Sequence, residues 1–169
     1  MSRPVSRPVP GVTVAGQQAG ARRPAPLEAI RRTSLGLSVA LLIQYGLGMW
    51  VSLYVTVPAR DGGGGEFAAI GRALSGGPAA LAAHAALGLL LLLGSVVLVI
   101  RAAAARRPFL IVTTAVSLLA VLGAAASGGA FVSGGQDGAS LSMALLTGVA
   151  LLAQVATLYW LASPRRPAG

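Results

Sequence analysis

Four long apolar runs divide the chain, at 34–57, 79–100, 108–131 and 139–161. None contains Asp, Glu, Lys or Arg. At ~1.5 Å per residue, 22 to 24 residues of helix reach ~33–36 Å, enough to cross a ~30 Å hydrocarbon core with some tilt. The pattern predicts an all-α membrane protein: a four-transmembrane-helix bundle over 34–162. It is preceded by a disordered Arg- and Pro-rich tail (1–33) and followed by a short tail (163–169). The first 26 residues show no apolar periodicity and open on the tandem SRPVSRPV, which suits disorder.

The punctuation between the runs agrees with this division. Ser34 stands where an N-cap would open the first span, and Pro58 closes it. Pro108 suits the first turn of the third helix. The residues Ser133 to Gly138 make a turn before the fourth. Between the first two spans lies a polar loop, flexible at 62–65, where four glycines run together. Within it Phe67, Ile70 and Leu74 recur at helical spacing with Arg72 on another face. Over 66–75 a short interfacial amphipathic helix and a plain loop both remain open.

Composition changes the reading of charge. The 169 residues are 55% hydrophobic and only 10% charged, with mean hydropathy +0.77. A soluble domain carries roughly 25% charged residues. The net charge of +9 therefore does not point to nucleic acid. All thirteen basic residues are Arg, and most flank the apolar runs. Eleven lie in the N-terminal tail, between spans two and three, or in the C-terminal tail. Only Arg60 and Arg72 lie in the other two connections, together with Asp61, Glu66 and Asp137. The positive-inside rule then predicts an N-in/C-in protein of the bacterial cell membrane, with both termini cytoplasmic. Arg31-Arg32 has the outline of a twin-arginine signal, and 57–59 that of a peptidase site. The span between them is longer than a signal h-region of ~7–15 residues, so an anchored helix is the better reading.

Each span carries one stripe of small and polar residues at spacings of three and four. These are Ala40, Gln44 and Gly48; Ala80, His84 and Gly88; Thr113, Ser117, Ala120 and Ala124 on to Ser127 and Gly128; and Ala144, Thr147, Gly148 and Gln154. Such stripes pack helix on helix in lipid, small residues by close approach and polar ones by hydrogen bonds. They serve contacts within one chain, with a second copy, or with other membrane subunits equally well. Counted from the predicted cytoplasmic ends, Gln44, Ser117 and Gln154 fall at ~15, ~14 and ~12 Å. They are expected to form one polar layer inside the membrane, either as glue between helices or as a solute or quinone site. His84 is the only histidine. At ~24 Å it lies in the outer half, near the level of Trp50 and Thr147, with Met143 slightly higher. Three readings stay open for it: a ring bonded to a neighbouring helix or to water, an axial haem ligand, or a proton-responsive group.

The His near the outer start of span two, the HAALG run from His84 to Gly88, the inner arginines and the Gly/Ser-rich end of span three resemble small four-span membrane proteins of high-GC bacteria. More remotely, the architecture of 34–162 resembles one half of haem A synthase and the cytochrome b561-like bundles. That resemblance implies His84 as a haem ligand. The fourth span has no His, span two lacks a second, and Glu66 is not spaced from His84 as an acid–histidine pair.

With no cysteine, the chain has no disulfide or thiol chemistry. No Ser–His–Asp set is placed by a motif, metal ligands do not cluster, and residues 62–65 lack the Lys-Ser/Thr of a phosphate loop. The expectation is a non-catalytic accessory or assembly component of the membrane, whose surroundings are the lipid bilayer. The alternatives are a haem-binding electron-transfer protein and a small transporter. The transporter is weakened because no carboxylate lies in the membrane.

Overall fold

In a computed structural model, residues 26–54, 78–134 and 137–163 are described, together with Gly71 and Ser75. They form four long helices: α1 Pro26–Tyr54, α2 Ala79–Ala104, α3 Pro108–Gly134 and α4 Asp137–Ala162. All four are long and apolar enough to cross a membrane. The chain is an integral membrane protein built as a four-helix bundle. Each helix packs on two neighbours: α1 on α2 and α4, and α3 on α2 and α4, with the α3–α4 pair in most extensive contact. Among the described residues diagonally opposite helices do not meet, so the bundle is a closed square of antiparallel neighbours.

The first helix begins eight residues before the expected span. Pro26 stands at its first position, where a missing N–H costs nothing. Glu28 in the first turn favours the helix dipole and pairs with Arg32 at 2.8 Å and Arg31 at 3.6 Å. Ile30 is fully buried. Residues 26–33 are therefore helix rather than tail, because charges end a hydrocarbon span without ending the helix that carries it. Ser34 is accordingly no N-cap but an interior helical residue. The stretch 66–75, for which the sequence leaves helix and loop both open, lies outside the described residues except for Gly71 and Ser75. Both of these are helical, with the Ser75 hydroxyl donating to the Gly71 carbonyl at 2.9 Å.

The α2–α3 connection is short. The N–H groups of Ala105 and Arg106 donate to the carbonyls of Arg101 and Ala103, both at 3.0 Å, satisfying groups the helix end leaves open. Arg106 takes φ 53°, the left-handed conformation that usually selects glycine after a helix.

The main core joins Ile30, Leu37 and Leu41 of α1 to Leu91, Leu98 and Ala102 of α2, Leu110, Ala120 and Val121 of α3 and Ala150 of α4. Leucines and valines on the opposite faces are exposed, among them Leu42, Leu90, Leu119 and Leu152. Two aromatic groups mark the ends. Phe109 and Trp160 stack with centroids 5.9 Å apart at the Arg-rich end, and Trp50 and Tyr54 meet at 4.8 Å at the other. With Ser34 level with Gln154 and Ser52 with Ser140, Trp160 falls opposite the first turns of α1. It lies ~27–33 Å below Trp50 at ~1.5 Å per residue. That separation is the thickness of a hydrocarbon core with aromatic belts at both boundaries.

Candidate functional site

Inside the bundle the polar side chains meet at two levels. Near the Arg-rich end, the Ser34 hydroxyl donates to Gln154 Oε1 at 2.5 Å, and Gln154 Nε2 donates to the Ser117 hydroxyl at 3.0 Å. Ser34, Ser117 and Gln154 are at most 1% exposed, so this chain of bonds ties α1, α4 and α3 together away from any surface. One turn nearer the end, the Thr157 hydroxyl meets that of Thr113 at 2.9 Å. At the boundary Arg101 donates to the Thr33 hydroxyl and the Ala29 carbonyl, joining α2 to α1.

The expected layer of Gln44, Ser117 and Gln154 is thus divided. Ser117 and Gln154 lie together, Ser34 completes their layer, and Gln44 is at the other level. The earlier start of α1 explains this. Counted from Pro26, Ser34 lies ~12 Å and Gln44 ~27 Å along the helix. Counted from the Arg-rich ends of α4 and α3, Gln154 and Ser117 lie at ~12 and ~14 Å.

At the second level Gln44 meets His84. The Gln44 Nε2 lies 3.0 Å from the His84 carbonyl oxygen, to which it donates, and 3.2 Å from the ring Nε2. Two glycines make the approach possible. A Cβ on Gly48 would stand 3.1 Å from His84 Cε1, and one on Gly88 would stand 3.2 Å from Gln44 Nε2. Each helix therefore offers one polar side chain and, four residues on, a notch for its partner's. The matched spacing of Gln44–Gly48 and His84–Gly88 is visible in the sequence, but only the register between α1 and α2 shows that the two motifs interlock. Two polar atoms of this pair, Gln44 Oε1 and His84 Nδ1, are buried without a hydrogen-bond partner.

Beside the ring, a small cavity of about 30 Å³ is lined by Gly48, Val51 and Ser52 of α1, Leu81 and His84 of α2, Gly128 and Phe131 of α3, and Ser140 and Met143 of α4. All four helices contribute their ends opposite the arginines. At its rim the Ser52 and Ser140 hydroxyls are 3.4 Å apart. The cavity's volume equals that of about two waters, and its lining is mostly apolar.

Comparison with protein-family models, with curated proteins and with solved structures returns no match.

What the site can do chemically therefore rests on its own geometry. These surroundings do not fit a haem. The Nε2 that would reach for iron is covered by the Gln44 amide. The room beside Gly88 is taken by that same side chain, and the ring edge rests on Gly48. The adjoining space is far too small for a macrocycle. The arrangement instead joins helices by hydrogen bonds: Gln154 across three of them, Gln44 across two.

Proposed function

We propose that this chain is a non-catalytic component of a bacterial cell membrane, with both termini in the cytoplasm, that acts through contacts with other membrane subunits or a second copy of itself. The observation that carries the reading is how the interior polar groups are used. Gln154, Ser34 and Ser117, Thr113 and Thr157, and Gln44 and His84 pair with one another across helix contacts. Such bonds hold a bundle together. The orientation is supported by Arg31, Arg32, Arg101, Arg106 and Arg107, all exposed at one end of the bundle.

The test is purification of the full chain from its own membrane in mild detergent, followed by native mass spectrometry and an optical spectrum. The reading predicts a colourless species heavier than the 16.8 kDa chain, with a second copy or another membrane subunit at fixed stoichiometry. A lone chain with a Soret band that His84→Ala removes would overturn it.

A further inference from the structure

The contact between Gln44 and His84 has a built-in dependence on protonation. The Gln44 amide nitrogen faces two atoms of α2, the His84 carbonyl oxygen at 3.0 Å and the ring Nε2 at 3.2 Å. The carbonyl can only accept, which fixes the amide with its NH2 toward α2. Its second hydrogen then points at Nε2, which must present a lone pair. A neutral imidazole carries one proton, so that proton sits on Nδ1.

Adding a second proton places an N–H on Nε2, facing the N–H of Gln44. Turning the amide over does not restore the contact. Oε1 would accept from Nε2–H but would then oppose the His84 carbonyl oxygen. Whichever way the amide points, one like-facing pair remains. No opposite charge at the site offsets an added proton: the lining residues from α1, α3 and α4 are Gly48, Val51, Ser52, Gly128, Phe131, Ser140 and Met143, and among these described residues none is titratable or charged. The same small cavity adjoins the ring, with the Ser52 and Ser140 hydroxyls at its rim.

We propose that His84 is a proton-binding site whose occupancy releases the clasp between α1 and α2 at the end of the bundle opposite the arginines. With the proton absent, Gln44 and His84 hold the two helices in the register that seats each side chain in the other's glycine notch. With the proton bound, the clasp opens and the cavity widens. The proton is the ligand, and the relative position of α1 and α2 is the response. This holds whether or not the chain works in a complex.

The chain suits a direct test because it has one histidine and no cysteine. Full-length protein in lipid nanodiscs, labelled with 15N-histidine, gives ring signals from His84 alone. Spin labels on Leu53→Cys and Ala83→Cys, both exposed positions, report the α1–α2 separation. The proposal predicts the Nδ1–H tautomer at neutral pH and a doubly protonated ring in acid. It also predicts loss of the short-distance population with the same midpoint as the ring titration. Gln44→Leu should show the acid-state distances throughout. An Nε2–H tautomer at neutral pH, or a ring that titrates while the distances stay fixed, would overturn the proposal. If Gln44→Leu does not fold, the wild-type titration decides alone.

Discussion

Replacing Gln154 by leucine tests whether the buried polar chain holds the bundle. The substitution nearly conserves volume, so packing loss is small and the measured effect is that of the hydrogen bonds. Two disappear, from Ser34 and to Ser117. Interhelical bonds in membranes are worth ~0.6–2 kcal/mol each. The two serines left behind can turn their hydroxyls onto carbonyls of their own helices, as Ser38, Ser95 and Thr114 already do. Orphaned-group penalties are thereby largely avoided. The expected cost is about 1.2–4 kcal/mol, roughly an eight- to 900-fold fall in the folded-to-unfolded ratio. Reversible unfolding in mixed micelles of mild detergent and SDS, followed by helicity and by thiol labelling of a cysteine introduced at the buried Ala150, measures it. In a double-mutant cycle with Ser117→Ala the coupling should be ~0.6–1.7 kcal/mol. A Gln154→Leu variant as stable as the parent, or zero coupling to Ser117, would refute the assignment of these bonds as what ties α1, α3 and α4.

Other variants probe the close contacts. Gly48→Ala and Gly88→Ala place a methyl 3.1–3.2 Å from His84 and Gln44. Each should destabilise the bundle by about 1 kcal/mol in the same assay, with the double variant less than additive because both act on one clasp. Gly36→Ala and Gly46→Ala meet nothing within 4 Å and should be neutral or stabilising by up to about 1 kcal/mol. Arg106→Gly relieves a left-handed backbone at φ 53° and should raise stability by roughly 0.5–1 kcal/mol; a loss would mean that the guanidinium holds the turn.

Much of this fold is legible in the sequence because lipid imposes a single demand, long uncharged helices, that no other environment repeats four times in so short a chain. The α2 and α3 starts at Ala79 and Pro108 follow from apolarity and proline alone. What apolarity does not mark is where a helix continues into water, so the first turns of α1, with Glu28 and its arginines, look like tail. That error propagates. Two turns of missing helix place Gln44 level with Gln154, hide Ser34 as a buried partner, and leave His84 without its neighbour. The stripe of each helix is readable from spacing, and Ser117, Gln154 and His84 do face inward. Which stripe residue meets which depends on the relative slide of two helices. That slide is set by side-chain fit, such as the two glycine notches, rather than by any one segment.

The central claim is a four-span bundle with the arginines before α1, between α2 and α3, and after α4 on the cytoplasmic side. Single cysteines at Ser163 and Ser75 in this otherwise cysteine-free chain test it most directly, through labelling by a membrane-impermeant maleimide in intact cells and after permeabilisation. The account predicts that Ser75→Cys is labelled in intact cells and Ser163→Cys only after permeabilisation. Labelling of both positions in intact cells would contradict the count of spans, and the reverse pattern would contradict the orientation.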